Sequence, residues 1–247
     1  MRLLLVEDEG VSASMGAAEL KQAMDCQITV VPDPAEALAW MRQPFDLVVA
    51  DMLYGQQVDD HQLARRQGAD RKGEDPRCLS GLAVLHEARK AGIKAVLWTN
   101  GEFNRRLHVL FAHQQLGCRT LCRKDAVGKL PAAVRAALSG HAFIDPVLQM
   151  YLTPPSTPSL HETFFASSKH LKIWRAMARG LHSHATIGEH IGYTAGAVRK
   201  TVEEMRRRLV ALDPGCWLDG SPTPELVRYA GQNWQFFLDD TVREIYP

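Results

Sequence analysis

Short apolar runs alternate with amphipathic stretches through the first half of the chain, and each of four runs ends on a polar residue. Leu3-Leu4-Leu5-Val6 ends on Glu7-Asp8 and Leu47-Val48-Val49-Ala50 on Asp51. Ala95-Val96-Leu97-Trp98 ends on Thr99, and Leu121-Cys122-Arg123 on Lys124. Gln27 to Val31 reads as a further strand. Between the runs the apolar spacing is helical, over residues 11–24, 35–41, 81–91, 104–116 and 126–138. Asp33-Pro34 marks one helix start, because the carboxylate accepts from free N–H groups and Pro suits the first turn. Strands alternating with helices predict a doubly wound parallel α/β sheet.

The pattern changes after residue 140. His141 to Ser167 carries Thr153-Pro154-Pro155-Ser156-Thr157-Pro158-Ser159, which favours extended backbone and predicts a linker over 141–167. Helical spacing then returns over Lys169–Arg179, stopped by Gly180, and over Ala185–Ile191, stopped by Gly192. Thr194 caps a third helix whose buried stripe is Val198, Val202, Met205 and Leu209. These three helices predict an all-α helix-turn-helix domain over 168–212. Residues 213–247 form an extension with six acids, two Arg and the apolar segment Trp234 to Leu238. An acidic, aromatic-bearing segment of this kind is expected to pack on the basic domain or a sister subunit.

At 247 residues two domains are the default expectation. The N-terminal run meets Glu7 too soon for a signal peptide, and no apolar stretch is long enough to span a bilayer. Five irregularly spaced cysteines suggest reduced thiols, so a cytoplasmic location without a membrane partner is expected. Cys118 and Cys122 make no Cys-x-x-Cys motif, and the spacing of His182, His184 and His190 fits no zinc pattern. Charge is unevenly spread. Residues 168–212 hold nine Lys and Arg against three acids, a surplus of six in a chain whose total is +1. A compact basic segment on an otherwise acidic protein is the footprint of a nucleic-acid partner, which the helix-turn-helix pattern makes double-stranded DNA.

In a parallel α/β sheet the C-terminal strand ends converge on one crevice. Three acids, a hydroxyl and an ammonium gathered there suit Mg²⁺-assisted transfer of phosphate to a carboxylate. The strand-end constellation at Glu7-Asp8, Asp51, Thr99 and Lys124 resembles the receiver domain of two-component response regulators, over residues 1–140. The stretch from Lys124 to Gly140 resembles the NarL/LuxR-type branch in particular. The resemblance implies a five-stranded, flavodoxin-like sheet with Asp51 as phospho-acceptor for a sensor histidine kinase. It also implies Mg²⁺ held by Glu7, Asp8, Asp51 and the Leu53 carbonyl, with Thr99 and Lys124 binding the phosphoryl group.

Ile191-Gly192-Tyr193-Thr194-Ala195-Gly196-Ala197-Val198-Arg199-Lys200-Thr201-Val202 resembles the LuxR-type helix-turn-helix. Arg199, Lys200 and Glu203 lie near the start of its recognition helix, where base edges are reached. Thr194 and Thr201 are expected to donate to phosphates, and Arg206, Arg207 and Arg208 to add backbone contacts. Such proteins bind as homodimers because paired half-sites multiply a weak single-domain affinity.

Three features depart from the receiver pattern. A polar insertion over about 55–79 separates Asp51 from the helix that opens at Ser80-Gly81, and its composition predicts a loop or lid. Leu121 stands where the family carries a switch aromatic, and Asn100 follows Thr99 where a small residue is usual. A phosphorylation-independent receiver is therefore the alternative within the class. An aspartate-nucleophile phosphohydrolase lacks a general acid soon after Asp51. A protein-interaction adaptor predicts that Arg199 and Lys200 are dispensable.

Overall fold

The computed structural model describes residues 1–247 except 56–77, 103–104, 126–127, 155 and 214–219. The insertion expected over 55–79, and the helix starts expected at Asn104 and Ala126, fall largely or wholly outside the described residues. The chain divides into two compact units, Met1–Leu152 and Thr153–Pro247.

The first unit contains β1 (Arg2–Val6), α1 (Gly10–Ala23), β2 (Gln27–Val31), α2 (Pro34–Trp40), β3 (Leu47–Ala50), α3 (Gly81–Ala91), β4 (Lys94–Thr99), α4 (Arg106–Gln114), β5 (Thr120–Arg123), α5 (Lys129–Leu138), β6 (Phe143–Ile144) and α6 (Pro146–Gln149). All strand pairings are parallel and the order is β2-β1-β3-β4-β5-β6. The alternation of side chains along each strand fills both faces. Leu3, Leu5, Leu47, Val49, Val96 and Trp98 pack with Leu20, Leu130 and Val134 of α1 and α5. Leu4, Val6, Val48 and Ala50 face the other way, onto Ala37 of α2 and Val84 and Ala88 of α3. The start of α2 follows from Asp33, whose side chain accepts from Glu36 N, with Pro34 in the first turn.

The sheet has six strands rather than the five expected. After α5, Gly140 takes φ +73°, and Phe143–Ile144 pairs with the free edge of β5 at Thr120 and Leu121. Asp145 then caps α6 through Val147 N and accepts from Lys129 Nζ at 2.9 Å. The linker placed at 141–167 is therefore corrected: residues up to Leu152 belong to the sheet unit. A two-residue strand is too short to announce itself by alternation, and its pairing partner is distant in sequence.

The second unit comprises α7 (Leu160–Phe164), α8 (Ser168–Ala178), α9 (His184–Ile191), α10 (Ala195–Leu212), α11 (Pro222–Gln232), α12 (Trp234–Leu238) and α13 (Asp240–Ile245). The rest of the expected linker starts this unit. Ser159 and Glu162 form a capping box at the head of α7, and Phe164 sits fully buried at the centre of an aromatic cluster. Its ring lies 5.3 Å from Trp174 and 5.4 Å from Phe237, while Trp174 and Phe237 stack at 5.0 Å. The extension thus packs on the basic helices, one of the two alternatives its composition offered. No helix among the described residues is long and apolar enough to cross a membrane.

Candidate functional site

The register of the sheet brings the four strand ends together. Asp51 N donates to Val6 O at 3.1 Å, fixing Asp51 beside Glu7, and Lys124 N donates to Thr99 O at 3.1 Å. Glu7, Asp51 and Thr99 are buried, whereas Asp8 is exposed.

Both oxygens of Asp51 are hydrogen-bonded. Oδ1 accepts from Met52 N at 2.6 Å and from Arg105 Nη1 at 3.0 Å. Oδ2 accepts from Lys124 Nζ at 2.7 Å. The Lys124 ammonium also lies 2.5 Å from Glu7 Oε2 and 5.5 Å from the centre of the Trp98 ring. Lys124 therefore bridges two buried carboxylates, which offsets the cost of burying either one. Burial raises the Glu7 pKa; the Lys124 hydrogen bond and charge pull it down, and the Asp51 charge adds to the rise.

Backbone geometry holds Asp51 from the other side. Tyr54 Oη donates to the Asp51 carbonyl at 3.0 Å, and Gly81 N donates to Met52 O at 2.9 Å. A Cβ on Gly81 would come within 1.9 Å of the Asp51 carbonyl oxygen, so only glycine fits at the opening of α3. Burial, and then the charge of Asp51, push the Tyr54 phenol well above its ordinary pKa, so it remains a donor. Tyr54 and Cys78, on either side of residues 56–77, are both buried.

Single carboxylate oxygens of Glu7, Asp8 and Asp51 all lie within 4.8 Å of one another. Three hard oxygen donors at that spacing fit Mg²⁺, which favours carboxylates and retained water. Asp8 Oδ2 accepts from Gly55 N at 2.6 Å, so one Asp8 oxygen is already committed. Leu53 lies half-buried in the same turn, between Met52 and Tyr54. Leu121, at the switch-aromatic position, is fully buried in the sheet.

Arg105 is the residue that sequence reasoning missed. Its Nη1 donates to Asp51 Oδ1 and to Thr99 Oγ1, each at 3.0 Å, and its Nε lies 3.3 Å from Glu102 Oε2. It immediately precedes α4 and its side chain is only 11% exposed. The available signal was a paired cation, Arg105-Arg106, at a helix start after the Thr99 strand. His108, one turn on, is buried, and burial together with the Arg105 charge lowers its pKa to about 3.

In the second unit, α9 and α10 meet across the turn at Gly192–Thr194. A Cβ on Gly188 would approach the Tyr193 carbonyl oxygen to 2.5 Å, so glycine permits this close crossing. Thr194 Oγ1 accepts from Ala197 N at 3.2 Å, capping α10. Lys169 Nζ donates to Ala197 O at 3.1 Å and lies over the Tyr193 ring. Val198, Val202, Met205 and Leu209 are buried, while Arg199, Lys200, Glu203 and Arg207 are exposed.

Three of the expected DNA contacts are engaged within the protein. Thr201 is buried and its hydroxyl donates to Ala197 O at 2.9 Å, because an inward-facing helical threonine satisfies itself on the preceding turn. Arg206 is half-buried, with Nε 3.3 Å from Glu225 Oε2 on α11. Arg208 pairs with Glu204 at 2.6 Å.

No protein-family model matches the chain, and no curated protein matches it in sequence. In structure it is similar to the response regulator RcsB. RcsB from Salmonella enterica serovar Typhimurium, bound to a promoter in the presence of phosphomimetic BeF3⁻, matches with a TM-score of 0.57 and 14% identity. That match covers 94% of this chain and 98% of the other. A structure of the two-component response regulator RcsB–DNA complex matches with a TM-score of 0.55 and 14% identity, over 94% and 98% of the two chains. At this identity the likeness is one of fold, and it extends over both units.

Proposed function

We propose that this chain is a DNA-binding response regulator whose receiver accepts a phosphoryl group on Asp51 from a sensor histidine kinase. The observation that carries the reading is the convergence of Glu7, Asp8, Thr99 and Lys124 on the buried Asp51 carboxylate. Asp51 is the nucleophile, and Lys124 neutralises charge on the incoming group. Thr99 donates to a phosphoryl oxygen. Glu7, Asp8 and Asp51, with the Leu53 carbonyl, would hold Mg²⁺, which when bound supplies further charge compensation. The exposed Arg199, Lys200 and Glu203 read base edges, while Thr194, Arg206 and Arg207 contact the backbone. RcsB structures with DNA and with phosphomimetic BeF3⁻ share this fold, which supports the same reading here. The protein acts as a cytoplasmic homodimer.

A phosphate-independent receiver is the second reading. It is favoured by one observation: Arg105 and Lys124 already compensate the unmodified Asp51. The test is to treat the full chain with Mg²⁺ and beryllofluoride, then measure oligomer size and DNA binding, with Asp51→Asn as control. A response lost in the variant supports the phosphoryl switch. Unchanged DNA binding in every sample supports the second reading.

A further inference from the structure

We infer that Arg105 is a third phosphoryl-binding cation of the crevice, acting in cis beside Lys124; this rests on the reading of Asp51 as phospho-acceptor. The Nη1 of Arg105 is equidistant, at 3.0 Å, from Asp51 Oδ1 and Thr99 Oγ1. Those are the nucleophile and the hydroxyl between which a phosphoryl group must sit. Thr99 accepts from Arg105, so its own hydroxyl hydrogen remains to donate to a phosphoryl oxygen.

The charges at the site call for a cation beyond Lys124 and Mg²⁺. Three carboxylates lie together in the crevice, and the one ammonium of Lys124 is already shared between Glu7 and Asp51. Transfer replaces the single charge of the Asp51 carboxylate by about two on the phosphoryl oxygens, a net gain of about one negative charge. Guanidinium is planar, permanently charged and suited to bidentate contact with phosphate. In the transfer, an Asp51 oxygen bonds to phosphorus as the bond from phosphorus to its donor breaks, and the leaving group takes the electron pair. With acetyl phosphate as donor, acetate leaves as the anion and no proton moves. Arg105 then moves from the carboxylate oxygen to the phosphoryl oxygens, where the negative charge is greater. Its pairing with the exposed Glu102 anchors Nε while Nη1 shifts.

The test is calorimetric titration of the full chain, first with Mg²⁺ alone and then with beryllofluoride at saturating Mg²⁺. Wild type, R105A, R105Q, R105K and D51N are compared, with thermal melts to confirm folding. R105A and R105Q are expected to bind beryllofluoride about 10- to 100-fold more weakly, the factor that one charge-assisted hydrogen bond represents. R105K recovers part of the loss. The same neutral variants bind Mg²⁺ alone severalfold more tightly, because a cation facing three acids has gone. Opposite signs for the two ligands are not what a mere structural defect produces. Equal beryllofluoride affinity in wild type and R105Q overturns the inference and leaves Asp51 as acceptor. Tighter binding in R105Q also overturns it, and makes Arg105 a plug instead. No binding by wild type removes the acceptor reading and the inference together.

Discussion

Asp51 and Arg199 are each proposed to meet a ligand, a phosphoryl group for one and the base edges of DNA for the other, yet their surroundings are opposite. Asp51 is 2% exposed, and both its oxygens are engaged by Met52 N, Arg105 and Lys124. Arg199 stands exposed on α10, a helix held by residues on its other side. In the crevice, binding groups and structural groups are the same atoms. On α10 they are separated, with Val198, Val202 and Met205 packing inward and Arg199, Lys200 and Glu203 outward. Substitutions in the first region should therefore disturb stability and ligand binding together, and in the second only one of the two.

The largest effect tests the inward side of the helical unit. Phe164→Ala removes a ring in contact with Trp174, Tyr229, Phe236 and Phe237. It is expected to cost about 3–5 kcal/mol of stability, because such a cavity cannot collapse among rigid aromatic rings. Denaturant unfolding followed by Trp fluorescence measures it. A loss near zero would mean that α7 is a linker after all.

Next comes Lys124→Met, which leaves Glu7 and Asp51 buried without their shared ammonium. The expected cost is about 3 kcal/mol, the lower end for a broken buried pair, since Arg105 still faces Asp51. Adding Asp51→Asn should restore part of that stability while abolishing beryllofluoride binding. If Lys124→Met is neutral in stability, the claim that the crevice merges structural and binding roles is wrong.

Arg199→Ala is the converse experiment. Promoter affinity should fall by about 1–3 kcal/mol, roughly 5- to 150-fold, if this side chain reads a base. Stability should change by no more than about 0.5 kcal/mol, as expected of an exposed site. Electrophoretic mobility shifts alongside thermal melts give both numbers. Lost stability with unchanged affinity would exclude Arg199 as a recognition residue.

The same contrast explains what could be read from the sequence. Glu7, Asp8, Asp51, Thr99 and Lys124 were legible because each ends a strand, and parallel strands bring their ends to one place whatever the helices do. Arg105 ends no strand. It reaches Asp51 across a sequence separation of 54 residues, and no strand end or period of the sequence points to that contact. β6 escaped for a related reason: Phe143–Ile144 has no periodicity of its own and exists because β5 has a free edge. Thr153–Ser159 does carry the prolines of a linker, yet Ser159 caps a helix that inserts Phe164 into the core. Composition alone did not reveal that anchor. The apolar stripe of α10 was read from its period, but the direction of a short polar side chain beside that stripe was not.

Thr201 is that side chain, and it gives the smallest effect. It neighbours Val202 in sequence and is 7% exposed, with its hydroxyl donating to Ala197 O on the preceding turn. A hydroxyl used in this way cannot reach a phosphate unless χ1 rotates and the carbonyl bond is given up. Thr201→Val keeps the branched shape and removes only the hydroxyl. Ala197 O should lose little, since helical carbonyls also accept from the backbone. Promoter affinity is therefore expected to stay within about twofold of wild type and stability within about 0.5 kcal/mol. Thr194→Val at the head of the helix should do more, because it removes a cap worth about 1 kcal/mol. If Thr201→Val weakens DNA binding as much as Arg199→Ala, α10 must turn on its axis when it docks, and the separation of its two faces would hold only for the free protein.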